Sequence, residues 1–532
     1  MAMSVNPAGS GPPPGTVELL AAHGGTGEDG SIVLNPTPSD DPEDPLRWPM
    51  WRKCLNYTII IALSTANFTA LSTQPLFWVD MAKDMTKTTL EDLANAQAAQ
   101  LVGLAVGCII FMPLATKYGL RSNYIIMNMF ACAASWWSAY MNTVPELYGS
   151  NFLFGIAGSI NQTTIAMTIN DIWFVHQRGT ANGMFFLGTT VGAFLVPIAA
   201  GLQSIRDGWR LSYASLAIAL TVLLVITIIA LEETKFIRPL QTEMTIQDKD
   251  AMFKLESFES ELARGPSNEK LHIPRNKRGC FVFGFLRRAK LQFITKSDES
   301  IWKVLYSPLK SWWFPHVLFA SIELGSSICW LVTMGSMSSI LFSAPPYNFD
   351  AAGLGYMTLG PFVGAVLGSI YGGYLTDKAI IWLSKRNKGW FEPEMRLWLY
   401  PLPALTMAGG LILFGISAAR GMHFIVPSVG GALFGFSFGA ISDIATGIVI
   451  DSFPDIVPQT FVVLTFLRNV ISMASPFSVV PWFDSMGASN MFIMSGCLSL
   501  AINLLALPMG IWGKKSRAAV AGRYYHLTAT VA

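Results

Sequence analysis

The sequence predicts an all-α membrane protein with twelve transmembrane helices in two six-helix bundles. Apolar residues make up 52% of its 532 residues and charged residues 13%, about half of the ~25% typical of soluble domains. The mean hydropathy is +0.43. From Leu55 onward, apolar runs recur at about the 20-residue length that crosses a bilayer. An ordinary soluble enzyme is excluded because so few charges cannot cover its surface, and a net charge of +2 does not fit a nucleic-acid binder.

The predicted helices fall into two groups of six, separated by a polar stretch. The first six lie near 54–77, 97–116, 122–142, 146–173, 179–202 and 209–231. The second six lie near 312–343, 352–376, 398–418, 422–447, 454–483 and 488–513. The predicted organisation is a disordered tail at 1–53, an N-terminal bundle at 54–231, a basic linker at 232–310, a C-terminal bundle at 311–513 and a tail at 514–532. Transporters built from repeats have this layout, with a site between the halves near mid-membrane.

Lysine and arginine in the short connections set the predicted orientation, because cytoplasmic loops carry the excess of basic residues. With the N-terminus inside, the outer connections carry Lys83, Lys87, Arg206, Arg210 and Arg420. The inner segments carry Arg47, Arg52, Lys53, Lys117, Arg121, Arg178, Lys378, Lys385, Arg386, Lys388, Arg396, Lys514, Lys515, Arg517 and Arg523. Both termini are therefore predicted to be cytoplasmic, and the membrane is expected to be the plasma membrane.

The predicted linker contains a basic cluster. Its members are Arg275, Lys277, Arg278, Arg287, Arg288 and Lys290. The cluster either touches anionic lipid head groups or is a solvated linker with the basic bias of inner loops.

Glu323, in predicted helix 7, is the clearest candidate for proton coupling. A charged side chain within a membrane helix costs about 2.5–3.5 kcal/mol on insertion scales. The neutral form is therefore favoured, and such a carboxyl can alternate between a proton-loaded and an empty state. The alternative is a structural glutamate that is protonated or bonded to a serine. Asp443, in predicted helix 10, is the second candidate for coupling or gating.

Arg468, in predicted helix 11, keeps its charge and needs an acidic partner. The candidate partners are Asp377, Asp451 and Asp455. We expect a structural or gating pair there rather than contact with a substrate. Asp171 and Arg178 flank the turn between helices 4 and 5 and are interpreted as a charge network at the cytoplasmic face.

Uncharged polar side chains and two aromatic rings supply the candidates for a substrate cavity. The polar candidates are Asn67 and Gln74 in helix 1, and Asn161, Gln162 and Thr164 in helix 4. Phe434 and Phe438 in helix 10 are four residues apart and share a helix face. The two rings either line an apolar pocket or pack the core.

Short motifs at the helix ends carry a family resemblance. The stretches Pro113–Arg121 and Gly373–Lys378 are similar to the loop signature of the major facilitator superfamily, Gly-x-Leu-Ala-Asp-Arg-x-Gly-Arg. Further stretches resemble the fungal twelve-helix drug:proton antiporter branch of that family: Asp41–Lys53, Phe174–Thr180, Glu392–Leu397 and Asp451–Asn469. The resemblance implies a central cavity lined by helices 1, 4, 7 and 10.

The motif in helix 5 bears on the direction of transport, and two departures from the family's pattern bear on proton coupling. In helix 5, Gly188, Gly192, Pro197 and Gly201 resemble the family's antiporter motif, which favours export. The alternative is ordinary tight packing, because Val196 replaces the glycine expected before Pro197. The two departures are Thr116, where the loop signature has an acid, and Asn151, where helix 4 of the family carries an arginine tied to proton coupling. Coupling must therefore rely on other residues.

The sequence thus predicts a secondary active transporter and not an enzyme. The resemblance implies proton-coupled efflux of a drug-like molecule, secondary metabolite or toxin. The alternatives are proton-coupled uptake of an organic cation such as a polyamine, and a non-transporting nutrient sensor. The expected partners are a small-molecule substrate, protons and the bilayer, with the protein a monomer. No cofactor, metal or nucleic acid is expected, since the six cysteines show no metal or redox spacing.

Overall fold

The computed structural model describes residues 13–18, 44–85, 88–235, 306, 308–387 and 389–531. Most of the predicted linker, with its basic cluster, lies outside these ranges. The described chain is almost entirely helical. Its only sheet pairs two strands of two residues each, β1 (Val17–Glu18) and β2 (Trp390–Phe391).

Twelve long helical segments, α1 to α12, follow one another along the described chain. The first six are α1 (Met50–Thr73), α2 (Leu90–Tyr118), α3 (Leu120–Tyr140), α4 (Val144–Ile172), α5 (Val175–Thr190 with Val196–Asp207) and α6 (Trp209–Ala230). The next four are α7 (Pro315–Ser343), α8 (Ala351–Met357, Leu359–Ile370 and Thr376–Arg386), α9 (Pro401–Ala419) and α10 (Ile425–Ser452). The helix Val457–Ser472 opens α11, and Ala506–Val531 ends α12. Between them Ala474–Asn503 changes direction at Gly487, where α11 ends and α12 begins.

Two of these helices contain a π-helical turn. In α5 the turn is Val191–Leu195, which ends two residues before Pro197, and in α8 it is Tyr371–Leu375. A proline lacks the amide hydrogen that the helix ladder needs, so a widened turn before it accommodates the missing bond. The irregularity that Pro197 imposes on α5 therefore takes the form of a π turn.

Several predicted helix edges differ from the structure, and the largest interior difference is in α8, which ends at Arg386 rather than at 376. Helix α1 begins at Met50, and α2 begins at Leu90, seven residues before the predicted edge at 97. Thr89 and Asp92 form a capping box there, in which each side chain binds the other's backbone amide. The predicted C-terminal tail is helical as far as Val531, because α12 continues beyond the predicted membrane edge.

Ten stretches of the described residues are long and apolar enough to cross a membrane. One of them, Pro454–Thr528, contains both α11 and α12. The 21-residue α3 is not among the ten. Adding α3 and dividing Pro454–Thr528 at Gly487 gives twelve, which agrees with the predicted count. Helix α6 also exposes one apolar face, through Ile218, Val222, Val225 and Ile229, as a helix beside lipid does.

The chain's alternating direction defines two faces of the bundle. We call the side where α1 begins and α12 ends the terminal face, and the other side the opposite face. Corresponding helices of the two halves pack alike, with α2 against α4 in the first half and α8 against α10 in the second. Between the halves, α5 contacts α8 and α2 contacts α11. The two halves therefore have the same order of helices and the same packing between corresponding helices.

Candidate functional site

The contact between α5 and α8 joins the two halves near the opposite face. A Cβ atom on Gly201 of α5 would lie 2.4 Å from the carbonyl oxygen of Ala351, so only glycine allows this approach. About two turns deeper, the hydroxyl of Thr358 donates a 2.5 Å hydrogen bond to the carbonyl oxygen of Phe194, within the π turn. The π turn thus presents a carbonyl oxygen that accepts a hydrogen bond from the other half.

The earlier glycines of α5 pack within their own half. Positions 188 and 192 lie against α1, where a Cβ on Gly192 would be 2.3 Å from the carbonyl oxygen of Thr65. The hydroxyls of Thr65 and Thr69 donate to the carbonyls of Gly188 and Gly192. Of the four motif residues, Pro197 and Gly201 therefore lie where α5 meets α8, and the two earlier glycines hold α5 to α1.

A second contact between the halves is polar and lies at mid-depth. Asn469 of α11 donates from Nδ2 to Gln162 Oε1 of α4 at 3.1 Å, and the same nitrogen lies 3.8 Å from Cys108 Sγ of α2. At 1.5 Å per residue, Cys108 and Gln162 are each about 15 Å from the terminal end of their helix. Towards the opposite face, Ser336 of α7 donates to Gln97 of α2 at 3.0 Å.

Arg468 precedes Asn469 and makes no hydrogen bond or ion pair with any described residue. Its Nε and Nη2 atoms are buried without a partner. The acids predicted to pair with it are engaged elsewhere. Asp451 and Asp377 both face Arg396, at 2.6 and 3.4 Å, and Asp455 accepts a 2.5 Å bond from Tyr524. Arg396 thus occupies the position in the charge cluster that we predicted for Arg468.

Glu323 lies inside the C-terminal half. Its side chain is fully buried, and neither carboxylate oxygen has a hydrogen-bond partner by geometry among the described residues. The hydroxyl of Tyr400, the residue directly before α9, is its polar neighbour and donates to Asn503 Oδ1 of α12 at 2.9 Å. Since α9 and α12 belong to the same half, the carboxyl faces the interior of that half rather than the contact between the halves.

Asp443 lies where α10 crosses α8, close to the Arg396 cluster. Its Cβ would be 3.0 Å from a Cβ placed on Gly372, in the π turn of α8. The side chain is half-buried, and the charges nearest to it are those of Arg396 and Asp377. Asp443, Asp377 and Asp451 therefore surround one arginine near the terminal face.

The uncharged candidates are distributed over several places. Asn67 donates to the carbonyl of Leu63 in its own helix at 3.0 Å, and Gln74 to that of Leu93 at 3.4 Å. The Thr164 hydroxyl has no partner in the described structure. The rings of Phe434 and Phe438 stack with centroids 6.2 Å apart, and Phe434 is fully buried. Among the candidates whose side chains the structure describes, only Gln162 makes a hydrogen bond across the two halves.

For two of the predicted site residues the structure describes the backbone alone. The side chains of Asn161 and Arg178 lie outside what the structure describes, although both belong to helices. Asp171 lies in the last turn of α4 at the terminal face and is half-buried. Its pairing with Arg178 therefore stays a prediction.

Two charge networks at the terminal face were not predicted. In the C-terminal half, Arg517 of α12 binds Glu394 with two bonds of 2.8 and 2.7 Å, and His316 Nε2 of α7 lies 3.3 Å from the same carboxylate. Burial alone would raise the pKa of Glu394, but the hydrogen bonds from His316 and Arg517 and the arginine's charge lower it to about 2. In the N-terminal half, Glu233 accepts from the backbone amides of Leu120 and Arg121.

The two networks occupy equivalent positions in the two halves. Each one links the end of the sixth helix of its half to the start of the third helix. Glu233 follows α6 and caps α3, whereas Arg517 lies on α12 and binds Glu394 before α9. Glu394 and Arg121 lie in stretches that the sequence marks as motifs, but no local pattern shows which charged side chains pair with one another. The described residues contain no group of three or more His, Cys, Asp or Glu side chains that could hold a metal ion.

A helical bundle with lipid-facing apolar surfaces and two halves that meet through glycine and amide contacts is the architecture of a secondary transporter. The family model of the Major Facilitator Superfamily matches residues 57–476. The chain belongs to this superfamily and is therefore a multi-pass membrane transporter of small molecules rather than an enzyme. The predicted family and fold class are confirmed.

Similar proteins span almost the whole chain. An uncharacterized MFS-type transporter of Schizosaccharomyces pombe is 27% identical, with 94% of this chain and 90% of that protein covered. Protein HOL1 of Saccharomyces cerevisiae is 26% identical, with coverage of 91% and 90%. The efflux pump radE of Floropilus chiversii is 24% identical, with coverage of 84% and 78%. A partially occluded, inward-open structure of the Escherichia coli xylose transporter XylE shares the fold, with a TM-score of 0.57, 14% identity and coverage of 86% and 96%.

Proposed function

We propose that this protein exports a small organic compound in exchange for protons, by alternating access between its two halves. The observation that carries the proposal is the Glu323 carboxyl, which is fully buried in a membrane helix with the Tyr400 hydroxyl as its polar neighbour and no ion-pair partner among the described residues. An ionisable group in such a place is costly in its charged form and is retained where it serves transport. The substrate is a drug-like molecule or a fungal secondary metabolite.

Two observations support export. Relatives along most of the chain include a protein named as an efflux pump. In addition, α5 meets α8 at Pro197 and Gly201, the second half of the antiporter-like motif. Proton influx down ~100 mV and one pH unit releases about 3.7 kcal/mol, which supports a substrate gradient of roughly 400-fold at one proton per substrate.

The proposed proton path uses the neighbours of Glu323. Because Tyr400 gives its hydroxyl proton to Asn503, the Tyr400 oxygen is free to accept from a protonated Glu323. Proton loss from Glu323 would break that bond and leave a charge in the interior of the C-terminal half. The half would then repack or take the proton up again. Asp443, beside the Arg396 cluster, is the second proposed coupling residue.

The test is substrate-dependent proton flux in proteoliposomes. Glu323→Gln keeps the side-chain shape and removes titration, so we expect proton flux to fall to background while the yield of folded protein is kept. Glu323→Asp is the matched control and retains measurable flux because it still titrates. Wild-type coupling in Glu323→Gln would refute this assignment.

The direction of transport is tested separately, on inside-out vesicles. An exporter accumulates substrate in such vesicles when their lumen is acidified. Proton-coupled uptake of an organic cation, the alternative function, would drive substrate out of them under the same gradient. A sensor would show neither flux.

We further propose a plasma-membrane location, cytoplasmic termini and a monomeric transport unit. The support is the basic excess on the terminal face, which would then face the cytoplasm. The two six-helix halves, 54–231 and 311–513, are proposed to move as separate bodies about the α5–α8 and α2–α11 contacts. A C-terminal tag that an external protease removes from sealed cells would contradict this orientation.

A further inference from the structure

Arg468 combines properties that a structural arginine does not have. It lies 11 residues into α11, about 16 Å from that helix's terminal end, which is near the middle of a ~30 Å hydrocarbon core. An arginine at this depth is costly and is normally paired. Yet no described acid faces it, and Nε and Nη2 are buried without hydrogen bonds.

The surroundings of Arg468 suit a ligand. The next residue, Asn469, bonds across the halves to Gln162, so the guanidinium lies where α11 meets α2 and α4. The buried Cys108 thiol of α2, an uncharged group, is the titratable neighbour of the guanidinium. Asn469, Gln162 and Cys108 bring amide and thiol groups to this junction but no carboxylate. The arrangement offers an anion two unused N–H donors.

From this geometry we infer that Arg468, with Asn469 and Gln162, binds the carboxylate of an organic-acid substrate at the contact between the halves. A guanidinium matches a carboxylate by two parallel hydrogen bonds, which makes such pairs both strong and oriented. The ligand would replace the acidic partner that the chain itself does not supply. A cationic substrate would be repelled at this position. The inference specifies the substrate class of the proposed transporter and rests on that proposal only for the direction of transport.

The contact across the halves gives such binding a consequence for transport. The Gln162–Asn469 bond joins α4 to α11 in the described state. A carboxylate that engages Asn469 competes for the same Nδ2 donor, so substrate binding would weaken one contact between the halves. The site is thereby placed to link occupancy to the movement of the halves.

The test uses purified full-length protein and a panel of probes with one skeleton. The probes are ω-phenylalkanoates from phenylacetate to 6-phenylhexanoate, each matched with its primary amide and its primary amine. Binding is measured as stabilisation against thermal unfolding in detergent over a concentration series. We expect at least one carboxylate to stabilise the protein, with its matched amide weaker by about tenfold or more and the amine inactive.

Two variants separate ligand binding from a structural role. Arg468→Gln should abolish stabilisation by the carboxylate while leaving the unfolding temperature of the free protein unchanged or higher, because it removes an unpaired buried charge. Arg468→Lys should retain weakened binding. Arg420→Gln, an exposed arginine at the opposite face, is the control and should bind as the wild type does.

Several results would overturn the inference. They are the failure of every carboxylate to stabilise the wild type at millimolar concentration, equal binding of amides or amines, and unaltered carboxylate binding by Arg468→Gln. A lower unfolding temperature in free Arg468→Gln would also count against it, since it would indicate an internal partner. Because binding in detergent requires no proton gradient, these outcomes are independent of whether Glu323 couples transport to protons.

Discussion

Replacing Gly201 by alanine tests whether the α5–α8 contact closes the opposite face. The added Cβ would lie 2.4 Å from the Ala351 carbonyl oxygen and 3.3 Å from the Ala352 Cα. Non-bonded contacts at that oxygen need about 3.4 Å, so the helices must separate by about 1 Å. Overpacking of this kind costs about 1–3 kcal/mol. The added methyl group destabilises only the state in which the opposite face is closed. The ratio of the open to the closed state therefore rises by about 5- to 150-fold.

Pulsed electron paramagnetic resonance can measure this shift. Nitroxide labels at Glu91 and Ser485, exposed residues at the opposite-face ends of α2 and α11, report the separation of the halves in a cysteine-free background. We expect Gly201→Ala to populate longer distances. Gly183→Ala is the matched control on the same helix, because a Cβ at Gly183 meets no atom within 4 Å. Distance distributions that match the wild type in a well-folded Gly201→Ala protein would refute the reasoning.

Two further predictions concern the charges at the terminal face. Glu394→Gln leaves Arg517 buried without its partner and should reduce the free energy of unfolding by about 3–5 kcal/mol. Glu392→Gln, which removes an exposed pair, should cost less than about 1 kcal/mol in the same denaturation assay. Arg396→Gln should slow substrate exchange at least tenfold in proteoliposomes, because it leaves clustered aspartates uncompensated. Lys378→Gln, at an exposed position, should leave the rate of substrate exchange unchanged. Equal rates in the two variants would show that the Arg396 cluster is not part of gating.

The helices were predictable because bilayer thickness fixes their length. Apolar runs of about 20 residues are visible without any tertiary information, and the sequence therefore yields the count, the order and the long connection between the halves. The edges are less predictable, because caps and loops decide them. Leu90 begins α2 before the apolar run does, since Thr89 and Asp92 satisfy the first amides.

The charge pairings were not predictable, because spacing along the chain does not report which helix faces which. Arg396 stands in the motif-like stretch Glu392–Leu397, which does not indicate its partners, yet it lies between Asp377 and Asp451. Glu323 was recognisable as a lone acid in an apolar helix. The side of the bundle that the Glu323 side chain faces was not predictable, because a helix that is apolar all round does not indicate which of its sides faces the other half.

Glu323 and Arg468, which have no ion-pair partner among the described residues, have different consequences for the energetics of export. If Glu323 carries one proton inward and Arg468 carries an organic anion outward, each cycle moves two positive charges inward. A potential of ~100 mV then contributes about 4.6 kcal/mol, and with one pH unit the total reaches about 6 kcal/mol. A neutral substrate gains only half of the electrical part, and a cation exchanged for a proton gains none. Export driven by a potassium–valinomycin potential at equal pH should therefore be strongest for the anion and absent for the cation. Transport of a carboxylate that does not respond to the potential would show that the proton and the anion are not coupled one to one.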